Sequence, residues 1–141
     1  MIHVSMDTKE LLHHLSKAHN IGTFLSEFEN EFHQLSCKEF INGIIQQKQL
    51  SIASIARKSG HGDYVYKVIN GERTPSRDVL ISIAIGMGLS FEETQLLLRI
   101  AKAATLDPRD RRDSVIIYGI QKQFNIDKLN DLLYEMQQQT L

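Results

Sequence analysis

Between residues 62 and 77 the chain gathers Asp63, Tyr64, Lys67, Asn70, Arg73, Ser76 and Arg77, and the chemistry these types can do is recognition. Their side chains offer an ammonium and two guanidinium groups as donors, a carboxylate as acceptor, and amide and hydroxyl groups that do both. The motifs of bond-making chemistry are missing: the sequence has no Gly-rich phosphate loop, no H-E-x-x-H and no G-x-S-x-G, so an enzyme is not expected. His33 and Cys37 stand four apart, but Ser36-Cys37-Lys38-Glu39 reads as a fresh helix start and no second ligand pair follows. His13 and His14 are adjacent and point to different faces of a helix. No metal and no cofactor is implied.

The elements that must position these residues read as helices, because apolar residues recur at three- and four-residue spacing and strict alternation is nearly absent. The expected fold class is all-α. Asp7 with Glu10, Ser36 with Glu39 and Ser90 with Glu93 each have the spacing of a capping box. Three helices are expected before residue 49, with Leu11, Leu12 and Leu15, then Phe24, Leu25, Phe28, Phe32 and Leu35, then Phe40, Ile41, Ile44 and Ile45 as their apolar stripes.

Shorter helices follow. Residues 51 to 59 carry Ile52, Ile55 and Ala56 inward, Gly60-His61-Gly62 is a turn, and 63 to 70 carry Val65, Val68 and Ile69 on one face. Tyr66 projects away from that stripe. Asn70-Gly71 ends the helix. Ser76 caps the next helix, which runs through Met87 with Val79, Leu80, Ile83 and Ala84 inward and with Gly86 and Gly88 marking its end. Ser90 opens another, and Asp107-Pro108 is the expected start of the one after, because proline at the first helical position loses no needed hydrogen bond. A last helix from Asp127 carries Leu129, Leu132, Leu133 and Met136, expected either as a dimer or partner face or as packing against Val115, Ile116 and Ile120.

The chain has 141 residues, 42% hydrophobic and 23% charged, which suits a compact globular protein and lacks the 18-residue uncharged run that spans a bilayer. One cysteine cannot build a disulfide framework, and residues 1–7 lack the basic and apolar regions of a secretory signal, so a cytoplasmic address is expected. The net charge of −1 hides an asymmetry. Residues 1–35 carry two basic and five acidic groups, 36–105 nine and six, and 106–141 five and six, so only the middle is positive. These are the expected divisions: an N-terminal helical extension, a central module and a C-terminal helical hairpin packed on it. The alternating Arg109, Arg111 and Arg112 with Asp107, Asp110 and Asp113 reads as a solvated or self-paired face.

A helix, a glycine turn, a second short helix, Asn-Gly, a charged loop and proline is the order in which a helix-turn-helix DNA reader is assembled. The stretch Leu50-Ser51-Ile52-Ala53-Ser54-Ile55-Ala56-Arg57-Lys58-Ser59-Gly60, with Asp63 through Ile69 and the loop Asn70-Gly71-Glu72-Arg73-Thr74-Pro75-Ser76, resembles the Cro and phage-repressor (XRE-type) helix-turn-helix family. Leu80, Ala84, Gly88-Leu89-Ser90 and Glu92-Glu93 continue it, so that residues 37 to 104 are covered. The resemblance implies that the second helix lies in the major groove of double-stranded DNA. It places Gly62, Asp63 and Lys67 at base-facing positions with Tyr64 beside them, and Asn70, Arg73, Ser76 and Arg77 near the backbone.

The expected function is therefore a sequence-specific DNA-binding transcriptional regulator, with flanking helices for dimerisation or effector sensing. A second expectation, from another class, is a protein-interaction adaptor or antitoxin-like partner on the same scaffold. It is motivated by a turn one residue shorter than the family norm, by Gly62 where a reading side chain would stand, by Ile52 where a phosphate-clamping polar residue is common, and by the acidic extension with Phe24, Phe28 and Phe32.

Overall fold

The computed structural model of the chain describes residues 6–32 and 36–141, and among these every regular element is helical. The chain divides into two compact units, residues 1–34 and 35–141. His33 and Leu35, which the sequence reading put in a candidate metal pair and an apolar stripe, lie outside the described residues.

The first unit holds α1 (Thr8–Ser16), α2 (Ile21–Glu27) and a 3-10 turn at Glu29–Glu31. Asp7 caps α1 by accepting from the Lys9 amide, and Asn20 caps α2 through the Thr23 amide. The unit closes on aromatic rings: Phe28 stacks at 5.0 Å on His14 and 4.9 Å on Phe24, and Phe32 meets Phe24 edge-on. Of its described side chains only Phe24 is buried.

The second unit holds α3 (Cys37–Lys48), α4 (Ile52–Ser59), α5 (Asp63–Ile69), α6 (Arg77–Met87), α7 (Phe91–Ile100), α8 (Arg111–Gln121) and α9 (Ile126–Glu135). Its centre is α6, the most apolar helix, whose Leu80, Ile81, Ile83 and Ala84 are all essentially inaccessible. Helix α4 makes the most extensive packing against it. Gly86, expected as an end marker, has a packing role instead: a Cβ there would sit 3.0 Å from the Ile55 carbonyl oxygen and from the Ser59 amide, so its absence lets α4 approach the α6 backbone. The end of α6 is Gly88, which is left-handed at φ 69°.

Ser36, Ser51, Ser76 and Ser90 each accept from the amide three residues on. Among the described residues only Ser90 with Glu93 completes the reciprocal capping box. Asp107-Pro108 does not begin α8. Asp110 is the cap, accepting from the Asp113 amide, while Asp107 forms a local turn by accepting from the Arg109 amide. The irregular link between α7 and α8 is held by Gln95, whose amide donates to and accepts from the Leu106 backbone at 2.9 and 2.7 Å.

Helices α8 and α9 form a hairpin packed into the same core. A Cβ on Gly119 would come within 2.6 Å of Leu129 Cδ1, so glycine is what lets α9 approach. Leu129 and Leu133 are 0% exposed, which corrects their assignment to a dimer face: they are core, Leu132 is half-buried, and Met136 alone of the four is exposed. No helix among the described residues is long and apolar enough to cross a membrane.

Candidate nucleic-acid interface

The site is built by α4, a three-residue turn and α5. Helix α4 ends at Gly60, left-handed at φ 78°. Buried Ser59 then knits the turn: its hydroxyl donates to the Ala56 carbonyl at 3.1 Å and accepts from the His61 amide at 3.3 Å, while the Gly62 amide reaches the same Ala56 carbonyl. Gly62 itself sits at φ 52°, ψ −125°, a combination essentially restricted to glycine. A Cβ there would meet nothing within 4 Å, so backbone conformation and not space selects the glycine.

Helix α5 starts without a side-chain cap; the Tyr64 and Val65 amides donate to the His61 and Gly62 carbonyls instead. Val65, Val68 and Ile69 are buried as the stripe predicts. The exit is a Schellman closure, with the Glu72 amide on the Lys67 carbonyl at 2.8 Å and the Gly71 amide on that of Val68 at 3.0 Å, around Gly71 at φ 78°. From α3, Asn42 donates to the Ile69 carbonyl and fixes the end of the helix.

This arrangement leaves Gly62, Asp63, Tyr66, Lys67 and Asn70 exposed on α5, continued by Glu72, Arg73 and Thr74 in the loop. The Lys67 ammonium and the Arg73 guanidinium have no hydrogen-bonded or ionic partner among the described residues. Tyr64 is half-buried and packs on the core, so the exposed aromatic of the helix is Tyr66.

Two expected positions are occupied otherwise. The Ser76 hydroxyl caps α6, accepting from the Val79 amide at 3.3 Å. The Arg77 guanidinium turns to the C-terminal part of the unit. It donates to both Asp113 carboxylate oxygens at 3.1 and 2.8 Å and to the Ala104 and Thr105 carbonyls, which leaves it unavailable to phosphate. The alternating Arg/Asp run, expected as a solvated or self-paired face, is solvated only in part: Asp107, Arg109, Asp110 and Arg111 are exposed, whereas Asp113 is buried against Arg77 and Arg112 crosses to Asp78 at 2.9 and 3.0 Å.

The structure also adds a cation that spacing did not reveal. Lys38, exposed at the start of α3, lays its stem over Gly71, whose missing side chain leaves room for Lys38 Cδ 3.2 Å from where a Cβ would be. Its position 33 residues upstream of Gly71 gives no local signal. Its neighbour Cys37 is half-buried, and burial raises the thiol pKa, which keeps it protonated and a poor nucleophile. Among the described residues no group of three His, Cys, Asp or Glu could hold a metal ion. No family model, curated protein or solved structure matches the chain.

Proposed function

We propose that the chain is a sequence-specific, double-stranded-DNA-binding regulator of the XRE type that reads the major groove with the outer face of α5. The observation that carries this reading is the set of groups that α5 and its exit loop leave to solvent: Asp63, Tyr66, Lys67, Asn70 and Arg73 are exposed together, and Lys67 and Arg73 enter none of the ion pairs found among the described residues. Cations left solvated on a fixed backbone suit a polyanion, because each phosphate they neutralise releases condensed counterions.

In this reading Lys67 donates to a guanine edge and Asp63 accepts from cytosine N4, while Arg73 and Lys38 hold phosphates on either side of the α5 exit. The bare Gly62 lets the start of α5 approach the bases closely. The three-residue turn, made rigid by Ser59 and two left-handed glycines, fixes the angle at which α5 is presented.

The test is selection of the full chain on a randomised duplex library at low salt. Enrichment of a defined motif is expected. Failure to enrich any sequence, with recovery of one stoichiometric protein from cell extract, would replace this reading with the adaptor or antitoxin-like one.

A further inference from the structure

The described residues of the first unit bury one side chain, Phe24, so the unit has little core of its own. It has no disulfide, since Cys37 is the chain's only cysteine, and its described residues offer no metal cluster. Its aromatic cluster leaves two aliphatic stripes outside. Leu12 and Leu15, three apart on α1, are 58% and 41% exposed, and Ile21 and Leu25, four apart on α2, are 60% and 47% exposed. Together with Phe32 they leave on the order of 500 Å² of side chain open, more than half of the roughly 800 Å² that each partner contributes to a standard interface.

We infer that these stripes are a homodimer interface, in which the first unit of one chain packs against the first unit of a second copy. The matching surface decides the occupant. Among the described residues of the second unit, the exposed large hydrophobics are Tyr66, Tyr118, Tyr134 and Met136, three of them amphipathic tyrosines spread over three helices. No leucine or isoleucine is exposed there, so the aliphatic surface that complements α1 and α2 is another α1 and α2.

The inference stands without the DNA-reading proposal, and under that proposal it supplies two α5 helices to two half-sites.

The experiment is sedimentation equilibrium of the full chain without DNA, which separates this inference from DNA reading. The expected mass is twice 16.1 kDa. The double substitution Ile21→Glu with Leu25→Glu, on side chains the unit itself leaves exposed, should weaken the dimer by about a hundredfold or more while far-UV circular dichroism is unchanged. Tyr134→Glu, on the exposed side chain of α9, should leave the dimer intact. A wild-type chain that stays monomeric up to about 100 µM, where a micromolar dimer would be nearly complete, overturns the inference. So does a dimer that survives the α2 substitutions, or one that Tyr134→Glu dissociates.

Discussion

Arg77 and Asp113 meet across 36 positions of sequence as a bidentate pair, and their neighbours Asp78 and Arg112 repeat the pairing with the signs exchanged. The two dipeptides sit in the first turns of α6 and α8, so the crossed pairs lock the start of the hairpin to the start of the central helix. Both carboxylates also lie where a helix dipole favours negative charge.

The two pairs should differ in strength. Asp113 is 6% exposed and also accepts from the Asp107 amide, so removing either partner leaves a buried charge or buried donors unsatisfied. Asp113→Ala should lower the unfolding free energy by about 2–4 kcal/mol. The Asp78 side chain is 37% exposed, and Asp78→Ala should cost about 1 kcal/mol or less once solvent screening is allowed for. Urea unfolding checks both, with a lower midpoint and an unchanged slope expected for Asp113→Ala.

One substitution, glycine to alanine, should have opposite signs at different places. At Gly62 the positive φ with ψ −125° makes alanine strained by about 1–3 kcal/mol although the space is open. At Gly86 the new methyl meets backbone atoms of α4 at 3.0 Å, and overpacking of about 1–3 kcal/mol is expected. At Gly43, inside α3 with nothing within 4 Å, alanine should stabilise by about 0.5–1 kcal/mol. Thermal and urea unfolding of the three variants checks the ordering.

Glu93 carries an acid-sensitive contact. Its carboxylate accepts from the Ser90 amide and pairs with Lys48 at 3.1 Å, and these hold its pKa below the usual carboxylate value, the backbone hydrogen bond contributing most. A carboxyl depressed in the folded state contributes stability that is present above its unfolded pKa, about 4.3, and is lost as pH falls through the lower folded value. Glu93→Gln keeps an acceptor for the cap and removes the charge. The wild type should exceed it by about 0.2–1 kcal/mol at pH 7, and the gap should close once Glu93 is protonated; a gap independent of pH would show that the charge contributes nothing.

What the sequence disclosed and what it hid follow from the range of the forces involved. The serine caps at positions 36, 51, 76 and 90 and the left-handed glycines 60, 71 and 88 act within one helical turn, so spacing alone located helices α3 to α7 and the exposed face of α5. Asp107 and Asp110 carry equal local cap signals three residues apart, and the choice between them is made by Asp113, which takes the Asp107 amide while its own amide caps on Asp110. Arg77 and Lys38 behave similarly. Whether Arg77 faces phosphate or a carboxylate depends on a residue 36 positions away, and Lys38 comes to the α5 exit from far upstream through the packing of α3 on α5. The stripe on α9 was readable as apolar, but its burial rests on the close approach that Gly119 allows.

That reassignment of Arg77 separates the DNA contacts expected by resemblance from those the geometry supports. On a selected duplex, Arg73→Ala and Lys38→Ala should each weaken binding similarly for all sequences and reduce the slope of log affinity against log salt by about one. Lys67→Ala should instead cost about 1–3 kcal/mol on the preferred site and relax preference at one base pair. Ser76→Ala should lower stability by about 0.5–2 kcal/mol through its cap and leave DNA affinity unchanged per folded molecule. Filter binding or fluorescence anisotropy across a salt series reads all four, and a loss of affinity for Ser76→Ala equal to that for Arg73→Ala would return the start of α6 to the interface.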